Sequence, residues 1–529
     1  GRTVAKVTDE ITILIVQGVK NIAKKGLSVF LAVLMVLAVN FGTVTTFAAM
    51  SDEAESISVN KPVTDNLSSV NDVKYYEVEL PAPGKVNLSF SHANLERTYV
   101  YWKVTMFDSV ENEVLYFEST GTNTDGKSMS VYLDKGTYYV RVKSEGYWYS
   151  TTDYTLCVNY TENKGEYEIE PNYSKELATE ISVNKPVIGN HRVKGDTDFY
   201  KFTISEPGKV DLSFNHANLE RTYVYWKVTM FDSVENIVLY FESTGTNTTG
   251  KSMNAYLSEG TYYIRVTTDD YWHSTADYTL CVNYTENQGE YEIEPNNSQD
   301  NATLIEVDEP VTGNLRTSSD VDYYRFVMPD SGKVYLGFNH PNLERTYVYW
   351  KVSLYDANGN RLYQLNSRGT DTVGKSDEIK IGSGTYYVKV EYEGYWHSSA
   401  DYSLTVNTVG GIPKVKVFLN GKRIRFDQPP IIQNGRTLVP LRAIFEAMNA
   451  TVSWDDKTKT VTAKKGDTTI VMTIGNKTMK KNGVAIELDV PPQIVNGRTL
   501  VPARAVAESF GAKVDWDGST RTVTITEGN

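Results

Sequence analysis

The sequence predicts a mainly β protein: three tandem antiparallel β-sandwich domains, jelly-roll-like in outline, then an α+β domain of two ββαββ-type repeats. Three observations carry the prediction. A 124-residue period runs from about residue 50 to residue 409, marked by "NLERTYVYWKV" at Asn94, Asn218 and Asn342. Within each copy apolar and polar residues alternate with period two, as half-buried strands do. After residue 410 the period becomes 62 residues, and each half holds one short stretch with helical spacing. Thirty-seven tyrosines among 529 residues, with abundant Thr and Val, agree with strand-rich extracellular material.

Residues 1–49 read as a targeting segment. Lys20, Lys24 and Lys25 precede the apolar run "LSVFLAVLMVLAVNF", and small residues follow at Thr46 and Ala48. This is the pattern of a secretory signal cleaved near Ala48, with the residues before about Val19 as an upstream extension. A single-span anchor is the alternative, though the run is short for spanning. No second apolar run follows, so no membrane span is expected after cleavage, and the chain is expected to be extracellular and surface-associated.

Charge is unevenly divided. The net charge is −13; residues 1–48 contribute +3 and residues 411–529 contribute +7, which leaves −23 on residues 49–410. So acidic an array makes a poor nucleic-acid binder. It suits a basic end resting on an anionic polymer, such as a cell wall, with the acidic part held away.

The sandwiches are expected over residues 50–165, 166–289 and 290–409. In "RTYVYWKVSLYD" Val348, Trp350, Val352 and Leu354 share one face, while Tyr347, Tyr349 and Lys351 share the other. The outward aromatics are candidate ligand-binding residues: Tyr99 with Tyr101, Tyr223 with Tyr225, and Tyr347 with Tyr349. Trp148, Trp272 and Trp396 follow in nearby "YW" turns. Exposed tyrosines and tryptophans stack on sugar rings or grip fibrous polypeptide; burial on a second packed face is the alternative. His92, His216 and His340 read as structural turn residues, and Cys157 and Cys281 as unpaired strand thiols.

One motif points elsewhere. "GTNTDGKS" at Gly121–Ser128 fits the phosphate-loop pattern and recurs at Gly245 and Gly369. A phosphate loop needs a helix after it to hold the anion. "MSVYLDKGTYYVRV" follows instead, and it alternates like a strand, so the motif reads as a hairpin turn and no nucleotide is expected.

The framework "DTDFYKFTISEPGKVDLSF … GTYYIRV … DYTLCV" (196–282) and the lead-in "EPNNSQDNATLI" (294–305) resemble the bacterial pre-peptidase C-terminal domain family. The resemblance implies a non-catalytic sandwich that accompanies secreted enzymes or surface proteins; related collagenase modules bind collagen and take calcium at the lead-in. Calcium wants six to eight oxygen ligands. Glu168, Glu170, Asn172, Asp196 and Asp198 offer them in the second copy, and Glu292, Glu294, Asn296, Asp320 and Asp322 in the third. A solvated acidic linker is the alternative. The first copy departs from the pattern: Thr46 stands where Glu170 would, and Lys74 where Asp198 would.

In the last domain, residues 410–529, "NGRTLVPLRA" and "NGRTLVPARA" resemble the N-terminal stalk domain of copper amine oxidases. That domain does not hold the oxidase's copper, so no copper is expected. Each helix is expected to begin after Pro440 or Pro502. Trp454 and Trp516 are expected to pack on the core, and Arg436, Arg442, Arg498 and Arg504 to form internal salt bridges or meet an anionic wall polymer.

No H-E-x-x-H, G-x-S-x-G or C-x-x-C occurs, so the chain is not expected to be an enzyme. The leading reading is adhesion to an extracellular polymer or bacterial cell wall through repeated sandwiches. The alternatives are an accessory or fragment polypeptide of a secreted hydrolase system, and a structural spacer.

Overall fold

The computed structural model describes residues 50–528 apart from 51, 146, 269, 270, 394, 395, 412 and 413. The signal sequence expected over residues 1–49 lies outside the described residues. Among those described, no helix is long and apolar enough to cross a membrane.

Among the described residues the first sandwich has ten strands: β1 (Glu55–Ile57), β2 (Val63–Asp65), β3 (Val73–Leu80), β4 (Gly84–His92), β5 (Val100–Phe107), β6 (Glu113–Thr120), β7 (Asp125–Lys127), β8 (Val131–Leu133), β9 (Gly136–Lys143) and β10 (Tyr154–Glu162). One sheet runs β1-β3-β9-β5-β6 and the other β2-β10-β4-β7, with β8 also on β4. Alternation decides the inner faces: Val78 and Leu80 of β3, Leu88 and Phe90 of β4, and Leu156 and Val158 of β10 meet between the sheets, almost wholly buried. The second and third copies repeat the strand order over residues 179–286 and 303–408.

Strict alternation fails on β5. Its register against β6 shifts between Val100 and Trp102, a bulge that leaves Tyr101 opposite no partner. Loop 94–97 then folds over the tyrosine, with the Leu95 N–H donated to the Gly121 carbonyl at 2.8 Å. Tyr101, Tyr225 and Tyr349 are therefore only 8 %, 7 % and 7 % exposed, not projecting outward. The same packing accounts for the phosphate-loop-like motif. β7 is a strand in that loop, no helix follows it, and Gly121 is pressed against the Tyr101 ring.

Successive sandwiches are strapped together. Residues 166–170 pass along the edge of the first sandwich, where the Glu170 N–H is donated to the Tyr132 carbonyl at 2.8 Å and the Asp134 N–H to that of Glu170 at 3.2 Å. Tyr132 and Tyr167 stack across the joint at 4.7 Å. The second joint repeats this with Glu294 on Tyr256 (3.2 Å) and a Tyr256–Tyr291 stack at 5.2 Å.

In the C-terminal domain each half carries one helix directly after its proline, α1 (Leu441–Ala447) and α2 (Ala503–Ser509). Leu441, Ile444, Phe445 and Met448 are buried beneath α1, and Val506 beneath α2. The halves interlock: Arg436–Pro440 pairs antiparallel with Arg498–Pro502, and Lys416–Leu419 pairs parallel with Thr522–Thr526. Trp454 and Trp516 do not join the core; they remain 37 % and 40 % exposed. A seven-residue helix is only about 10 Å long and covers the strand at Val452 and Val514, not two residues further on.

Nor is the acidic array held away from the basic domain. Arg423 donates to both carboxylate oxygens of Glu309 (2.8 and 2.9 Å) and to Glu306 (2.7 Å). Lys422 reaches Glu206 and Glu286 of the second sandwich at 2.8 and 3.1 Å. Complementary charge inside one chain docks the domain across two sandwiches.

Candidate functional site

Two kinds of site emerge, one aromatic and one acidic. The bulge that buries Tyr101 leaves Tyr99, just before β5, free to lie on the turn before β10. Tyr99 and Trp148 stack with centroids 4.1 Å apart and planes at 7°. The second and third copies repeat the pair: Tyr223–Trp272 at 4.1 Å and 4°, Tyr347–Trp396 at 4.2 Å and 1°. The tyrosines are exposed by 42–44 % and the tryptophans by 37–44 %. In the second copy the Arg221 guanidinium lies 6.0 Å over Trp272. Each pair forms a stacked, partly exposed ring platform. Tyr147 beside the first platform is 97 % exposed and Tyr271 beside the second is 84 % exposed. Both belong to the "YW" turns of the sequence, where only the tryptophans stand out as candidates.

The acidic residues of the second and third copies converge at the two straps. Ligand oxygens of Glu168, Glu170 and Asp198 lie within 4.8 Å of one another, and those of Glu292, Glu294 and Asp322 do likewise. All six are buried. Glu168 accepts from the Asn190 N–H (2.8 Å), the Tyr200 hydroxyl (2.6 Å) and the Asn172 amide (3.2 Å). Asp198 accepts from the Tyr278 hydroxyl, and Arg192 approaches Glu170 at 2.8 Å. In the third copy Glu292 accepts from Asn314 (2.8 Å) and Tyr324 (2.7 Å), and Arg316 approaches Glu294 at 2.7 Å. Asp196 and Asp320 flank the arginine, each accepting from its backbone N–H at 2.8 and 2.7 Å and lying 3.5 and 3.8 Å from its guanidinium.

Each site thus gathers four carboxylates around one arginine. Burial pushes the Glu168 and Asp198 carboxyls well above the usual carboxylate range, and it pushes Glu170 up to about 7 against the pull of Arg192. Glu292 and Asp322 are raised by burial in the same way. The oxygens Asn172 Oδ1, Asp198 Oδ1, Asn296 Oδ1 and Asp322 Oδ1 are buried without a hydrogen-bond partner among the described residues. Buried oxygens in negative surroundings are what a hard cation satisfies. His191 touches Asp198 at 3.3 Å in the second copy, where the first and third have Leu67 and Leu315; burial holds its imidazole below the usual range.

The remaining candidates are structural. His92 Nε2 lies 3.0 Å from the buried Ser119 hydroxyl, and its Nδ1 lies 2.8 Å from the Ala93 carbonyl; the histidine–serine pair recurs at His216 and His340. The pair is a core clamp without solvent access. Arg436 and Arg498 bind Asp489 and Asp427 at 2.6 Å, and Arg442 and Arg504 lie 3.8 Å from Glu446 and Glu508 on their own helices.

The sequence profile of the copper amine oxidase N-terminal domain family matches residues 418–525, so the last domain is of that type. Collagenase ColT of Clostridium tetani is 23 % identical over 237 residues, 44 % of this chain; the match spans 23 % of that collagenase's length. Among solved structures, the pre-peptidase C-terminal domain of a Bacillus anthracis collagenase is 22 % identical, covering 20 % of this chain and 93 % of that one, with a TM-score of 0.17. A putative secreted protein from Eubacterium rectale is 13 % identical, covering 44 % of this chain and 79 % of that one, with a TM-score of 0.16.

Proposed function

We propose that this chain is a non-catalytic, secreted or surface-associated protein that binds an extracellular polymer through its three Tyr–Trp platforms. The observation that carries the reading is their repetition: the same exposed stack occurs in all three sandwiches, with plane angles of 7°, 4° and 1°. A core needs no such pair in water, whereas a polymer with repeating rings or side chains can engage several at once. Polysaccharide, cell wall and fibrous protein all offer such repeats. On this reading the buried acidic sites take calcium, held by Glu168, Glu170 and Asp198 with Asn172, and by Glu292, Glu294 and Asp322 with Asn296. Their donors are carboxylate and amide oxygens, the hard set calcium prefers; copper has no role.

The likeness to part of a collagenase favours a second reading, an accessory polypeptide of a secreted peptidase system. Co-sedimentation of the chain with insoluble collagen, cellulose, chitin and purified cell wall, with calcium and with chelator, tests the first. Binding to one polymer that is lost with Trp148→Ala, Trp272→Ala and Trp396→Ala combined supports it. Failure to bind any of the four in either condition returns the argument to the accessory reading.

A further inference from the structure

The first sandwich solves the charge problem of the other two by different means. Its Tyr76 corresponds to Tyr200 and Tyr324 along the 124-residue period. Tyr200 and Tyr324 donate their hydroxyls to Glu168 and Glu292 of the straps. Tyr76 donates instead to Asp65, at 3.0 Å. Asp65 stands where the other copies have Gly189 and Gly313. Those glycines are forced: a Cβ on Gly189 would lie 2.6 Å from Glu168 Oε2 and 2.3 Å from the Tyr200 hydroxyl. The carboxylate that the phenol needs therefore arrives from the strap in two copies and from β2 in the first, and the two routes exclude each other sterically.

The counter-charge changes with it. Lys74 replaces Asp198 and Asp322, Ser68 replaces Arg192 and Arg316, and Val44 and Thr46 replace the two strap glutamates. The Lys74 ammonium lies 3.2 Å from Asp65 Oδ1. Four carboxylates around one arginine have become Asp65 beside one lysine, while Asp72 accepts from the Ser68 N–H and hydroxyl at 2.7 and 2.8 Å. We propose that Lys74 is the resident cation of the first sandwich, doing for Asp65 what a bound divalent ion does for the acidic clusters, so that the chain loads two ions and not three. This rests on the calcium reading of the other two sites.

The test is calcium titration of the full chain by calorimetry, together with hydrogen exchange of β3 and β10. The wild type should bind two ions per chain, and Asp322→Asn should reduce the count to one. Calcium should slow exchange in strands Thr197–Ile204 and Val321–Met328 but not in β3. Lys74→Met should bind no additional ion and should speed exchange in β3 about threefold, the size expected of a partly exposed ion pair. Lys74→Arg should restore protection, and adding Asp65→Asn to Lys74→Met should recover part of it. Three ions in the wild type, or unchanged β3 exchange in Lys74→Met, overturns the proposal. Zero ions with faster exchange in Lys74→Met would instead sink the calcium reading and leave Lys74 as a counter-charge alone.

Discussion

The ring of Tyr101 occupies the space that a side chain on Gly121 would need: a Cβ there would lie 2.8 Å from Tyr101 Cε2 and 2.7 Å from the Arg97 carbonyl oxygen. The contact recurs at Gly245 with Tyr225 and at Gly369 with Tyr349, each ring carbon at 2.9 Å. Gly121→Ala should therefore lower stability by about 1–3 kcal/mol, as overpacking does, and Tyr101→Ala by about 3–5 kcal/mol, as loss of a buried aromatic does. Chemical denaturation measures both. Added ATP should leave the wild-type transition unmoved, since the glycine serves the tyrosine and not a phosphate.

Much of this was legible in the residues themselves. Period-two alternation gave the inner faces correctly for Trp350, Val352 and Leu354, all fully buried. The strap carboxylates were legible because Glu168 and Glu170 alternate onto one side and the β-rich repeat supplies Asp198 at a fixed distance in sequence. Tyr101 was misplaced because a one-residue bulge and a folded-back loop are tertiary events that alternation does not encode. Asp65 was missed because its meaning lies in the glycine it replaces, and that glycine matters only once Glu168 is seen against it. The exposure of Trp454 and Trp516 depended on how far a two-turn helix reaches.

The acidic sites should make stability depend on pH in a direction set by the ion. Without a cation Glu170 keeps its proton up to about 7 when folded, above the ordinary carboxylate range it returns to when unfolded. The folded chain then binds more protons than the unfolded chain across that window, so stability falls as the pH rises through it. On the calcium reading, the ion takes the place of those protons. In chelator the melting temperature should drop between about pH 5 and pH 7.5, and the increment added by calcium should grow over the same range. A calcium increment that shrinks as the pH rises would contradict the site assignment.

Docking of the C-terminal domain depends on Arg423, whose side chain is 13 % exposed and faces Glu309 and Glu306. Arg423→Ala removes the nearest partner of both carboxylates, leaving Glu309 with Arg425 at 3.6 Å and Lys414 at 3.9 Å, and should weaken the docking by about 1–3 kcal/mol. Small-angle scattering should show a longer maximum dimension for the variant, and limited proteolysis should cut faster near Gly410. Raising salt should act in the same direction on the wild type, with a smaller effect because the pair is screened only in part.

If the Tyr–Trp platforms are the contact surface, retention should depend on how many of them are present. On the polymer that retains the wild-type chain, Trp148→Ala, Trp272→Ala and Trp396→Ala should be compared singly, in pairs and together, with the fold of each verified by its melting curve. Retention should fall stepwise and more than additively, as it does when linked weak contacts are removed one at a time. Full retention by the triple variant would contradict the account and move the contact away from the sandwich platforms.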